Sequence, residues 1–118
     1  MNRLEELTRG AAAAIGLDVS TWPWAQEDLA LRGPATQYHD VNFSPLKNPA
    51  DAYTVEDKLR ITVVYIMHED QSVTLRVYSP SHGGGIMQAV KEGATLEARM
   101  YAITQYAALT ALMESDNG

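Results

Sequence analysis

The chain has 118 residues, no cysteine, and 15 acidic against 9 basic side chains, for a formal net charge of −6. This length is that of one domain. The lack of cysteine excludes disulfides, thiol catalysis and zinc ribbons, and the acidic balance opposes bulk nucleic acid and anionic membrane as partners. No run reaches the roughly 20 apolar residues that span a bilayer. The acidic, amphipathic start Met1-Asn2-Arg3-Leu4-Glu5-Glu6 is unlike a signal peptide, so the expectation is a cytoplasmic protein.

Residues 2–15 read as a helix, because Leu4, Leu7, Ala11, Ala14 and Ile15 make one apolar stripe. Asn2 caps its start with Glu5 three residues on, and Gly16 ends it in a left-handed conformation with Leu17 folding back. Residues 18–47 read as an irregular Trp- and Pro-containing segment, since Trp22-Pro23-Trp24, Gly33-Pro34 and Phe43-Ser44-Pro45 interrupt any long helix. Only a short helix at about 25–31 is expected there.

Asn48, Pro49 and Asp51 open a second helix over 49–60, with Ala52, Val55 and Leu59 on its apolar face. Ile61 to Met67 is a β-branched run of strand length, His68 to Gln71 a turn, and Ser72 to Tyr78 a strictly alternating strand. In that strand Val73, Leu75 and Val77 face the core, whereas Ser72, Thr74, Arg76 and Tyr78 face the other way. Ser79 to Gly85 reads as a loop and Ile86 to Lys91 as a third strand. Thr95 caps a last helix to about residue 113, whose stripe is Leu96, Met100, Ile103, Ala107 and Ala111, widened by Ala108 and Leu112. Residues 114–118 are expected to fray. The fold class is α+β: a three-stranded antiparallel β-meander packed with about three helices, in the order helix, loop, helix, strand, strand, strand, helix, all in one domain over 1–118.

Four groups carry candidate chemistry. The loop Ser79-Pro80-Ser81-His82-Gly83-Gly84-Gly85 can bring backbone N–H groups close to an anion, with Ser81 and His82 adding polar contacts. It lacks a Walker ending, and its plainer reading is a flexible connection. Trp22 and Trp24 lie on one side of an extended segment, where they can stack a ring, anchor a partner, or cover the core. Arg76 and Tyr78 on the open face of the meander suit a phosphate, or an ordinary solvated face. His39, His68 and His82 lack the helical spacing of zinc sites, so no metal and no cofactor is expected. No carboxylate pair or nucleophile elbow is present, which leaves no catalytic residue and makes binding the expectation over catalysis.

Phe43-Ser44-Pro45-Leu46-Lys47-Asn48-Pro49-Ala50-Asp51-Ala52-Tyr53, followed by Val55-Glu56-Asp57-Lys58-Leu59, resembles the bacteriophage ABA-sandwich (alpha/beta/alpha) family of small accessory proteins. Ala94-Thr95-Leu96-Glu97-Ala98-Arg99 is similar to the family's entry into an Ala-rich last helix, and residues 18–40 look like an addition. The resemblance covers 2–16 and about 43–113. It implies a phage accessory protein acting in the host cytoplasm. By analogy with small phage proteins that capture nucleotide-like immune signals, it points to a small anionic, nucleotide-like ligand held by Arg76, Tyr78, Ser81, His82, Gly83, Gly84, Gly85, Trp22 and Trp24. The alternative is a protein-interaction module that blocks or recruits a host protein. The two edges of a three-stranded sheet lead to the further expectation of a homo-oligomer.

Overall fold

The computed structural model describes residues 2–35, 40–80, 89–92 and 95–117. The chain is α+β, with three helices and two antiparallel three-stranded sheets: α1 (Arg3–Ala14), β1 (Trp24–Ala25), a 3-10 turn (Gln26–Asp28), β2 (Ala30–Ala35), β3 (Asp40–Phe43), α2 (Pro49–Lys58), β4 (Thr62–Met67), β5 (Val73–Tyr78), β6 (Ala89–Glu92) and α3 (Leu96–Asn117).

The α1 helix is closed at both ends by local chemistry. The Asn2 side chain accepts the Glu5 N–H at 2.8 Å. At the other end Gly16 sits at φ 78°, and the Gly16 and Leu17 N–H groups donate to the Ala13 and Ala12 carbonyls. These are the paired bonds of a Schellman stop, which satisfies carbonyls the helix leaves open. The α2 helix ends in the same way, with Arg60 at φ 55° donating to Asp57 and Ile61 donating to Glu56. An arginine in the position that favours glycine carries a steric penalty of about 1 kcal/mol. The helix expected over 49–60 therefore stops at Lys58, because the left-handed residue turns the chain into β4.

The segment 18–47 is where the expectation of irregularity fails. Its described residues carry the first sheet, ordered β1-β2-β3, and the proposed helix at 25–31 is a single 3-10 turn inside it. Pro34 escapes its usual exclusion from a central strand because the register slips between Arg32 and Ala35, a bulge that removes the need for a ladder donor. Gly33 beside it is also required. A methyl group there would lie 2.1 Å from the Val41 carbonyl oxygen and 3.0 Å from the Trp22 ring.

Long-range side-chain bonds hold this small sheet in place. Arg9 of α1 pairs with Glu5 at 2.9 Å and donates to the Val19 and Trp22 carbonyls at 3.1 and 2.9 Å. The Ser44 hydroxyl donates to the Leu29 carbonyl at 2.8 Å, and the Ser44 N–H donates to the Asp51 carboxylate at 2.8 Å.

The second sheet is ordered β4-β5-β6, with Tyr65 opposite Leu75 and Arg76 opposite Val90. Its hairpin turn is the three-residue kind, with Gln71 at φ 71° and its N–H bonded to the His68 carbonyl. Leu75 and Val77 are fully buried, as the alternation requires. The third strand runs over 89–92 rather than 86–91.

The α3 helix is the centre of the molecule, packing against α1, α2, β5 and β6. Ile103, Tyr106 and Ala107 enter the core with Leu31, Phe43, Val55, Leu59 and Val77. Gly10 of α1 lets the Ala108 side of α3 come so close that an added Cβ would stand 2.7 Å from the Ala108 Cβ. Two details of the expected α3 differ: Leu96 and Leu112 are exposed, and the helix runs on to Asn117 rather than ending near residue 113. The buried face of α3 alternates large Met100, Ile103 and Tyr106 with small Ala98, Ala102 and Ala107, which allow the close approach of neighbouring elements.

Candidate functional site

The structure separates the expected site residues. Trp24 lies in β1 of the first sheet with Trp22 just before it, and Arg76 and Tyr78 lie in β5 of the second. Ser81, His82, Gly83, Gly84 and Gly85 lie outside the described residues, as does His39. Both tryptophans are half-buried against the core rather than displayed, and the Trp24 indole N–H donates to Gln26 at 2.9 Å. Arg76 is exposed, whereas Tyr78, expected on the open face beside it, is half-buried and packs against the core cluster. His68 is exposed in the turn, with its Nε2 2.7 Å from the Thr74 hydroxyl. Among the described residues no three metal-ligating side chains gather, and no helix is long and apolar enough to cross a membrane.

One cleft does use a residue chosen from the sequence. It lies between the end of α1, the Trp22 ring, β3 and one face of α2, with a volume of about 360 Å³. That is within the range of small-molecule sites, roughly 300–1,000 Å³. Its apolar wall is Ile15, Leu17, Trp22, Val41 and Phe43, and its polar side is Asn42, Asp51, Thr54 and Lys58. The wall is built from features already described. The Schellman turn presents Ile15 to Leu17, Arg9 fixes the Trp22 carbonyl, and Gly33 leaves room for the indole against Val41.

The polar side has its own logic. Asp51, Thr54 and Lys58 follow one another at intervals of three and four, so they share one face of α2. Desolvation by burial pushes the Asp51 carboxyl above its ordinary value, against the opposing effect of the Ser44 N–H. The Thr54 hydroxyl donates to the Ala50 carbonyl at 3.0 Å, which leaves its oxygen able to accept. Lys58, in the last turn of α2, supplies a cation. Asn42 and Asp51 also border a smaller depression with Ser44, Lys47 and Asn48, so the carboxyl stands between two openings. Asn42, Thr54 and Lys58 were not chosen from the sequence. For Thr54 and Lys58 the signal was the 51, 54, 58 spacing, a polar stripe on a helix whose opposite face is apolar, whereas Asn42 on β3 carried none.

A second polar cluster ties three elements together. Arg99 of α3 donates to the Glu56 carboxylate of α2 at 2.6 Å and to the Tyr65 hydroxyl of β4 at 3.0 Å. Both ends of the ion pair are mostly covered, so it orients α2 and β4 on α3. No family model, curated protein or solved structure matches this chain.

Proposed function

We propose that this is a non-enzymatic binding protein that holds a small, ring-bearing anionic molecule of nucleotide-like chemistry in the Trp22 cleft. The observation that carries the reading is the pairing of a Trp22 wall with the Asp51, Thr54 and Lys58 stripe around about 360 Å³. A planar ring finds an apolar face on Trp22 and Phe43. Lys58 meets an anionic group, while Asn42 and Asp51 hydrogen-bond to polar edges. The position of Lys58 at a helix C-terminus adds negative backbone potential near the anion, so affinity is expected to rest on the ring as much as on the charge.

Phe43 and Asp51 of the phage-like segment line this cleft, which supports a phage accessory role in which the ligand is a host immune signal removed by capture. Arg76 is not among the described residues that line the cleft. The alternative of a host-protein anchor through Trp22 and Trp24 is less favoured, because both rings are half-buried in structural roles.

The test is a thermal-shift and tryptophan-fluorescence screen with mononucleotides, cyclic dinucleotides and ADP-ribose. A true ligand at a hundred times its Kd stabilises the fold by about 2.7 kcal/mol. Lys58→Ala is expected to weaken that ligand at least tenfold while leaving the unliganded melting temperature within about two degrees, since exposed substitutions change stability little. Absence of any shift across the panel, or a shift that Lys58→Ala leaves intact, overturns the reading.

A further inference from the structure

The outer edge of β4 is unlike an edge strand meant to face water. Thr62 to Met67 contains no charge, no proline and no bulge, the usual devices that keep such edges apart. Among the described residues β4 pairs only with β5. Two of its side chains are among the large hydrophobics that remain exposed: Met67 at 75 % and Tyr65 at 49 %. Tyr53 borders a shallow depression with Glu56, Arg60 and Ile61, where the chain enters β4.

The hydrogen-bond pattern states which backbone groups are free to pair. The His68 N–H donates to the Ser72 carbonyl at 2.9 Å, and the β4–β5 register continues this pairing as Ile66 with Thr74, Val64 with Arg76 and Thr62 with Tyr78. Antiparallel ladders alternate, so these even-numbered residues turn their N–H and C=O groups inward to β5. Val63, Tyr65 and Met67 turn theirs outward.

We propose that β4 pairs with β4 of a second copy of this chain, antiparallel about a twofold axis at Tyr65, joining two three-stranded sheets into one. With the axis there, Tyr65 faces the partner's Tyr65, and Val63 faces the partner's Met67. Both pairs use the outward-facing backbone groups, giving about six main-chain hydrogen bonds. Val64 faces the partner's Ile66, and Thr62 faces the partner's His68. Beyond the strand ends, Arg60 lies opposite the partner's Asp70, and symmetry repeats that pair of opposite charges. Sliding the register by two residues places Arg60 opposite the partner's His68 or the partner's Ser72 and loses the ion pair. Apolar meets apolar, polar meets polar, and cation meets anion only in the stated register, which is the self-complementarity a twofold interface requires.

The experiment uses the lack of native cysteine. Val64→Cys, Tyr65→Cys and Ile66→Cys are made singly and oxidised in air, and cross-linking is read on non-reducing gels. Residues facing each other across the axis have Cα atoms about 5.5 Å apart, within disulfide reach. Tyr65→Cys is expected to cross-link several-fold more than either neighbour. Light scattering over a concentration series is expected to show twice the 13.0 kDa chain mass for the native protein. Met67→Pro removes an outward donor without touching the β5 ladder, and Arg60→Glu sets like charges opposite each other. Each is expected to raise the dimer Kd at least tenfold with an unchanged circular dichroism spectrum. A monomer at all concentrations overturns the proposal, as does strongest cross-linking at 64 or 66. Unaltered dimers in both Met67→Pro and Arg60→Glu also overturn it, even if one of the two variants folds poorly.

Discussion

The two sheets have the same number of strands and share one core, to which the first gives Leu31 and Phe43 and the second Val77, but they differ in regularity. The second is a regular ladder with Leu75 and Val77 fully buried under α3. The first has a two-residue strand and a bulged one, and it is held by Arg9 and Ser44 reaching carbonyls elsewhere in the chain. Both sheets pack into the one core, and where the ladder of the first is interrupted by a two-residue strand and a bulge, bonds from Arg9 and Ser44 add to that packing. The irregular sheet is also the one beside the Trp22 cleft, because a bulge and a glycine leave space that a regular ladder fills.

Replacing Leu75 with Ala is the largest break. It empties fully buried volume and is expected to cost 2–5 kcal/mol, roughly, in chemical denaturation, with both sheets lost together. Arg9→Leu should cost less, about 1.5–3 kcal/mol, because it removes charge-assisted bonds that tie the segment entering the first sheet to α1 and leaves the second sheet untouched. Hydrogen exchange should then show faster amides in β1 to β3 while β4 and β5 stay protected. Equal loosening of both sheets would merge the two modes of support into one.

Asp51→Asn gives the smallest and most selective effect. Burial raises the folded-state carboxyl, so the unfolded chain releases this proton first as pH rises. The stability that goes with the protonated form is complete below the ordinary value of 3.8 and is lost as pH rises through the folded-state value. Asparagine keeps an acceptor for the Ser44 N–H and never ionises. The melting temperature of the variant relative to the native protein should therefore be higher at pH 7 than at pH 3.8, whereas a constant difference would show that burial does not perturb Asp51.

The same contrast explains what the sequence could tell. Asn48-Pro49 marks the start of α2, and the alternation from Val73 to Tyr78 marks β5, because each is a local signal that tertiary packing reinforces. The first sheet was illegible because its stabilising contacts are not local: Arg9 acts across 13 residues on Trp22, and Ser44 across 15 on Leu29. Proline inside β2 also reads as a strand breaker unless the bulge is known. Of the cleft, Trp22 stood out by residue type. Lys58 and Thr54 did not, since a polar helix face ordinarily meets water and only the placement of β3 turns it into a wall.

The close packing of α1 on α3 also bears on synthesis. The α1 helix begins at Arg3, and the helix that covers it begins only at Leu96. During translation at about 5–20 residues per second, the Leu7 and Ala11 face waits roughly five to twenty seconds for its cover. A ribosome stalled before α3 would hold a chain with this apolar face still open. The chain is therefore expected to acquire its core late and all at once, and to need a chaperone most in the interval just before its last helix leaves the exit tunnel.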